Sequence, residues 1–371
     1  MMIGQDIMEP KDFLVRVRCD TYNHVSYIKD TLDGFSVQET SFPFICTIFD
    51  DASTDGESDV LMNYLQQHFD VEDKSIARKE ETEDYVLIFA RNKKNTNCFF
   101  AVFFLKYNHY SIKKDKFPYS KEWNNAKYTA LCEGDDYWTD PLKLQKQVDA
   151  LESHQQCTIS LCRVQSVRKN GSIIKNGLIP RKNRFKEGLV SFDDFCKEEL
   201  MSGYWCFHTS SFLARREYVV QTREREEFYN MFPFGDMPFL LWCLLHGDGY
   251  FIDSIDSCYR VLSGGYNSHI LSCPDIAIKQ KEKLIGAMHY LDDYTSKKYH
   301  HEISYTILRF EFGIECLKGN SFVILMPKFW PVISHKAPKE KVTYLIKTLF
   351  PSIYRKVKEL QNKRYQVNCV L

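Results

Sequence analysis

The apolar residues of this chain fall into short runs of two different periods, and the two kinds alternate. Residues 13–18 (Phe-Leu-Val-Arg-Val-Arg) and 44–49 (Phe-Ile-Cys-Thr-Ile-Phe) are strand-length runs, whereas Ile28, Leu32 and Phe35 recur at helical spacing within 25–37. A second helix is predicted over 57–68. Strand, helix, strand, helix is the order of parallel strands joined by crossovers. Strands that are apolar almost throughout belong to a sheet covered on both faces. The acidic stretch 72–84 reads as surface and 85–90 as a strand. The periodicity of 98–107 leaves helix and strand both open, and 113–121 reads as a basic loop. A strand over 128–132 precedes a helix over 141–153, with Asp140 as its N-cap and Pro141 in its first turn.

In the second half, Asn170-Gly171 between 160–168 and 172–175 is a hairpin signal. Residues 213–222 and 237–246 predict helices, and 251–255 and 258–262 short strands. Beyond Asp275 the pattern is helical, with breaks at Pro327, Pro331, Pro338 and Pro351. The predicted fold class is α/β: a Rossmann-like, mostly parallel central sheet flanked by helices, with a helical C-terminal extension. The expected division is a domain over 1–270, in halves of about 1–150 and 151–270, and the extension over 271–371.

Composition narrows the function classes. The 371 residues are 44% apolar and 26% charged with zero net charge, which argues against nucleic acid as the main partner. Thirteen cysteines without any C-x-x-C pair read as reduced thiols. Residues 1–10 lack a signal-peptide pattern, and no run reaches the roughly 20 apolar residues a membrane crossing needs. The expected location is cytoplasmic, with peripheral contact on the inner face of a membrane.

Acids mark the strand ends. Asp20, Asp50 with Asp51, and Asp135 with Asp136 each stand at the carboxyl end of a predicted strand. In an open parallel sheet those ends share one edge, where ligands bind. Adjacent carboxylates repel unless a cation holds them, and a divalent metal both takes oxygen ligands and grips phosphates. The chain has neither a G-x-G-x-x-G after its first strand nor a G-x-x-x-x-G-K-[ST]. A metal on Asp136 takes over the diphosphate in place of backbone amides, which favours a nucleotide-linked donor over NAD or ATP hydrolysis.

Three blocks resemble an inverting glycosyltransferase of family 2, with the GT-A fold. They are Asp20-Thr21-Tyr22-Asn23-His24, Phe49-Asp50-Asp51-Ala52-Ser53-Thr54-Asp55-Gly56 and Glu133-Gly134-Asp135-Asp136. The longer Glu-Gly-Asp-Asp-Tyr-Trp-Thr-Asp-Pro run is similar to a bacterial subgroup in surface-polysaccharide assembly. The resemblance covers roughly 12–265, with Asp20 where relatives carry Pro and Leu262 where many carry His; His269 is a distant substitute.

The resemblance implies that Tyr22 lies against the base of the nucleoside diphosphate and that Asp51, with Asp50, accepts from the base. It implies that Asp135 reaches the ribose or donor sugar, and that Asp136 binds Mn²⁺ or Mg²⁺. Asp236, before an apolar helix, matches the position of the catalytic base, and Arg260 lies in a block that folds over the diphosphate. His208 faces the acceptor. The expected partners are a nucleotide-sugar donor, UDP-linked, and a glycan or lipid-linked acceptor. Each assignment has a structural alternative: Asx-turn acceptor for Asp51, core for Tyr22, N-cap for Asp236, ion pair for Arg260, hydrogen-bonded histidine for His208. Trp138 and Trp205 read as core packing ahead of sugar stacking. The competing functions are a sugar-phosphate nucleotidyltransferase and a non-catalytic nucleotide- or glycan-binding protein.

The tail adds one more expectation. Residues 336–364 hold nine Lys or Arg against two Asp or Glu, interleaved with Leu345, Ile346, Leu349, Ile353, Val357 and Leu360. A basic amphipathic helix of this kind lies on an anionic membrane or packs on the catalytic domain; it also offers a homodimer contact.

Overall fold

In the computed structural model, which describes residues 13–201, 206–262, 273–320, 322–336 and 338–350, the first strand sits in the middle of the sheet. Strand β1 (Val15–Thr21) runs parallel to β2 (Phe44–Asp50) on one side and to β6 (Tyr128–Leu131) on the other. Beyond β2 lies β5 (Cys98–Leu105), also parallel, and then β4 (Tyr85–Arg91) and β3 (Arg78–Glu81), antiparallel. Beyond β6, the short β11 (Leu213–Arg215) is antiparallel between β6 and β8 (Cys157–Val167). Strand β12 (Asp248–Arg260) is parallel to β8, and β10 (Gly188–Val190) edges it. Two strands branch off: β7 (Tyr137–Trp138) pairs with β12, and β9 (Ile173–Ile179) with β8. The α/β class with a parallel centre is the expected one.

Alternation along β2 and β5 explains why their sequences are apolar almost throughout, whereas β1 is apolar in one phase and carries Arg16, Arg18 and Asp20 in the other. Val15, Val17, Cys46, Ile48, Phe100 and Val102 point into one cluster with Leu32, Phe35, Leu65 and Val148 of the covering helices. Ile45, Phe49, Phe99 and Phe103 point the other way, onto Phe13, Leu87, Phe89 and Trp123. Both faces are dry at β2 and β5, so both phases of their period-2 pattern are apolar. Arg16, in the polar phase of β1, is buried, and its guanidinium donates to the hydroxyls of Thr47 (3.0 Å) and Ser120 (2.8 Å). Cys19, Cys46, Cys98 and Cys132 are buried thiols whose pKa burial pushes up, which makes them unreactive.

Several elements differ from the sequence expectation. Residues 98–105 are a strand, settled by pairing with β2. The helix expected from Pro141 begins at Lys143; Asp140 instead accepts the Leu142 N–H at 2.7 Å in a turn ahead of it. Residues 213–215 pair as β11 before the helix Arg216–Glu224 starts, so tertiary pairing overrides helical pattern there. The two short strands expected near 251–262 are one strand, β12, with register shifts at Ile252/Ile255 and Ile255/Ser257. Pro327, Pro331 and Pro338 do not merely break helices; each stands in the first turn of a new one, where its missing N–H is harmless.

The chain forms two compact units. One comprises residues to Phe195 with Trp205–Tyr229 and Phe234–Leu262; the other comprises Cys196–Tyr204, Asn230–Pro233 and the chain from Ser263. The first holds the whole sheet. The second is helical, with Pro274–Tyr294 beside His300–Leu317 and a small apolar cluster of Phe312, Val323, Phe329 and Val332. Among the described residues no helix is long and apolar enough to cross a membrane. Trp205, His269 and the tail beyond residue 350 lie outside the described residues.

Candidate functional site

The three acidic strand ends meet along one edge, and backbone hydrogen bonds tie them together. The N–H of Asp51, just past β2, donates to the Thr21 carbonyl of β1 at 3.0 Å. The N–H of Gly134, past β6, donates to the Asp20 carbonyl at 3.0 Å. Gly134 allows this approach: a Cβ there would lie 2.0 Å from the Thr21 hydroxyl and 2.4 Å from the Thr21 Cβ. Parallel pairing in register therefore brings residues far apart in sequence to one crevice.

The first two blocks are clamped by Glu57, at the start of the helix Glu57–His68. Its buried carboxylate accepts from the Thr21 hydroxyl, the His24 N–H (2.9 Å) and the Ser53 hydroxyl (2.8 Å). Asp50 is also buried; it accepts the Ser53 N–H at 3.0 Å and the Ser58 hydroxyl. Asp51 is buried too, and its two oxygens accept the N–H groups of His109 (2.7 Å) and Tyr110 (3.0 Å). Asp50 and Asp51 thus hold the loops that follow β2 and β5. Tyr22 differs: it is 44% exposed at the same edge, with its ring open to solvent rather than in the core.

Cations from unexpected places reach the cluster. The Lys116 ammonium lies 2.8 Å from Asp20 and 3.6 Å from Asp51, and Arg18 Nε donates to Asp20 at 2.8 Å. Burial alone raises a carboxyl pKa, but the charges of Arg18 and Lys116 prevail and hold Asp20 well below the usual carboxylate range. Glu133 faces the opposite balance. Protein packed around it, then the charges of Asp20 and Asp135, raise its pKa to about 8. Glu133 still reaches solvent, so water tempers that shift.

Asp136 is buried, at 2% exposure. One oxygen accepts the Arg260 N–H at 2.9 Å; the other lies 3.7 Å from His208 Nδ1. Burial and then the neighbouring Asp135 charge push its pKa well above the ordinary value, against the pull of the Arg260 N–H. His208 Nδ1 accepts the Ser210 N–H at 3.3 Å, its ring leans on Tyr259 at 4.3 Å, and burial lowers its pKa to about 4. The imidazole is therefore neutral near neutral pH. Asp135 lies 3.9 Å from His24 Nε2. The Thr31 hydroxyl lies 2.9 and 2.6 Å from the carbonyls of Gly134 and Asp136, which fixes the turn carrying both acids.

The Arg260 guanidinium faces that turn from β12. It donates to the Asp135 carbonyl (2.8 Å) and to Asp30 (2.6 Å), between the rings of Tyr27 (4.7 Å) and Tyr137 (5.0 Å). That is a bracket on the acidic turn. Asp236 opens the helix Asp236–His246, where its carboxylate accepts the Met237 N–H at 2.8 Å and burial raises its pKa. Beside it, the Tyr229 hydroxyl fills the space a Gly235 Cβ would need, 2.2 Å away, and Tyr229 lies within electrostatic reach of Arg18. Trp138 is core, against Phe35 and under Lys143.

Asp20, Asp51, Asp135, Asp136, His208 and Arg260 thus form one connected region, with Asp50 bracing it and Tyr22 at its rim. Sequence reading passed over Lys116, Arg18, Glu57 and Thr31. Lys116 sits in a charged loop without periodicity; only the return of β5 to the same edge puts it there. Glu57 had a signal, an acid opening a helix directly after the second block. Among the described residues no three His, Cys, Asp or Glu side chains gather into a ready-made cation cage.

No protein-family model matches the chain. Three curated relatives match: uncharacterized proteins of Mycobacterium bovis (strain ATCC BAA-935 / AF2122/97) and of two strains of Mycobacterium tuberculosis. Each is 34% identical over 152 residues, which is 41% of this chain and 35% of the relative. The matched stretch is therefore about a third of those relatives' length. Among solved structures, S. aureus TarS 1–349 in complex with UDP-GlcNAc aligns at 14% identity and a TM-score of 0.46, over 90% of this chain and 79% of that one. The mannosyltransferase PcManGT from Pyrobaculum calidifontis, in complex with GDP-Man and Mn²⁺, aligns at 12% identity and a TM-score of 0.45, over 93% and 90%. Likeness this distant leaves the chemistry of this chain to its own residues.

Proposed function

We propose that this chain is a glycosyltransferase that moves a sugar from a nucleotide-diphosphate sugar, UDP-linked, to a hydroxyl of a glycan or lipid-linked acceptor, with inversion, in polysaccharide biosynthesis. One observation carries the reading. Two adjacent carboxylates, Asp135 and Asp136, stand at the shared edge of a parallel sheet, and burial pushes the Asp136 carboxyl far up. A buried acid beside another acid is costly unless a ligand brings positive charge.

The donor set suits a hard cation in part. Asp136 keeps one oxygen clear of the Arg260 N–H, Asp135 supplies a second carboxylate, and phosphate oxygens and water complete such a site for Mn²⁺ or Mg²⁺. Bound there, the ion acts as a Lewis acid toward the departing diphosphate. Tyr22 offers its open ring to the nucleobase. Asp50 and Asp51, already engaged by the loops they hold, shape the floor of the nucleoside pocket. Lys116 adds a cation beside them. Arg260 holds the acidic turn in place, and His208, neutral, faces the acceptor as hydrogen-bonding group. Asp236 takes the proton of the attacking hydroxyl, and burial, which raises its pKa above the ordinary value, makes it a stronger base.

The test is release of nucleoside diphosphate from a panel of nucleotide sugars, with Mn²⁺ or Mg²⁺ and with glycan or lipid-linked acceptors. The expected result is release that needs both metal and acceptor, and that falls about 10²–10⁴-fold in Asp236→Asn, the scale of general-base assistance. Pyrophosphate as product instead would mark a nucleotidyltransferase. Binding without turnover would mark a non-catalytic protein. Substantial transfer by Asp236→Asn would remove that residue from the mechanism.

A further inference from the structure

We propose that the exposed apolar stripe of the helix Pro338–Leu349 docks on an anionic lipid surface. The proposal rests on the helical unit alone and stands apart from the transfer chemistry. Val342, Leu345, Ile346 and Leu349 recur at i, i+3, i+4 and i+7, and are 54%, 45%, 39% and 56% exposed. A surface helix ordinarily turns such a stripe inward. Here the inward contact is Tyr344, packed on Phe312 with ring centroids 5.3 Å apart. The apolar surface continues on a neighbouring element: the one-turn helix Val323–Leu325 contacts this helix, and its last residue Leu325 and the preceding Phe322 are 56% and 65% exposed. Contiguous exposed apolar area of this kind marks an interaction site.

Charge selects the occupant. Lys339 and Lys341 are exposed on the same helix, and the segment 336–364 carries nine Lys or Arg against two Asp or Glu. Among the described residues of that segment, Lys336 lies 3.6 Å from Glu340, and Lys341 donates to the Ser334 carbonyl at 2.8 Å. A second copy packed two-fold on the stripe would set lysines against lysines. Anionic headgroups neutralise the lysines while the acyl boundary takes the stripe, as for an amphipathic helix lying in a membrane interface.

The experiment is flotation of the full chain with vesicles of equal parts phosphatidylglycerol and phosphatidylcholine, and with phosphatidylcholine alone. The protein is expected to float with the first and not the second, and less as salt rises. Val342→Glu/Leu345→Glu/Ile346→Glu and, separately, Lys339→Glu/Lys341→Glu are expected to lower the bound fraction about ten-fold each. Their melting curves should match the parent's; serine at the same apolar positions replaces glutamate if they do not. Equal flotation of parent and variants, or flotation indifferent to anionic lipid, overturns the proposal. So does a dimer by sedimentation that the apolar variant dissociates while vesicles bind neither. So does binding that appears only in a chain ending at Phe350, which would make the chain's own tail the occupant.

Discussion

Asp136 is a carboxylate that the fold raises above its ordinary pKa, through burial and then the neighbouring Asp135 charge. A raised acid binds its proton more tightly in the folded state. Its stabilising contribution is complete below the unfolded value and is lost as pH rises through the folded value. Without ligand, that contribution should therefore fade as pH climbs above about 4. His208 works in the opposite sense. Burial lowers its pKa from 6.5 to about 4, so its contribution is present above 6.5 and is lost as pH falls through 4. The two slopes overlap and oppose each other between about pH 4 and 6.5, so thermal melts of single variants separate them. Asp136→Asn should flatten the loss with rising pH, and His208→Gln the loss toward pH 4. A loss with rising pH that is unchanged in Asp136→Asn would mean that this carboxyl is not held as described.

Elements meet at this site through two contacts that tolerate little change. Gly134 lets β1 and the acidic turn touch, and a Cβ there overlaps the Thr21 side chain at 2.0 Å. Gly134→Ala should cost about 1–3 kcal/mol, the range of overpacking, and should cut transfer with it. Thr21→Ser should not rescue it, because the closest carbon, the Thr21 Cβ, remains; full rescue would locate the clash elsewhere. Arg260 is the second contact. Its fork joins β12 to Asp30 and to the Asp135 carbonyl between two tyrosine rings. Lysine has neither the planar fork nor the stacking face. Arg260→Lys should lower stability by about 1–3 kcal/mol in denaturant titration. It should also weaken the response to metal more than the response to nucleotide alone.

For the whole molecule, the expectation is linkage between ligand and fold. A nucleotide sugar with Mn²⁺ that binds only the folded chain adds about 2.7 kcal/mol at a hundredfold excess over its Kd. A thermal-shift screen of UDP- and GDP-sugars with and without Mn²⁺ or Mg²⁺ should find one base whose shift grows with metal and shrinks in Asp136→Asn. No shift with any nucleotide diphosphate, with either ion, would leave the site without its proposed ligand. The same screen identifies the donor, which depends on a few side chains around the pocket.

The runs at 13–18, 44–49 and 128–132, apolar over most of their length, already pointed to parallel strands, and 44–49, apolar in both phases, to a sheet covered on both faces. That assignment alone put Asp20, Asp51 and Asp136 on one edge. The Asn-Gly hairpin and the helices 57–68 and 236–246 were legible for equally local reasons. Tertiary structure decided what local pattern does not encode. Pairing made a strand of 98–105 and of 213–215, where periodicity left a choice or pointed to helix. Burial and neighbours, not residue type, separated Asp20, held charged by Arg18 and Lys116, from Asp136, pushed toward its neutral form. And only the folded chain shows that Asp50 and Asp51 are spent on backbone amides and hydroxyls, because hydrogen-bond partners are chosen in space and not along the sequence.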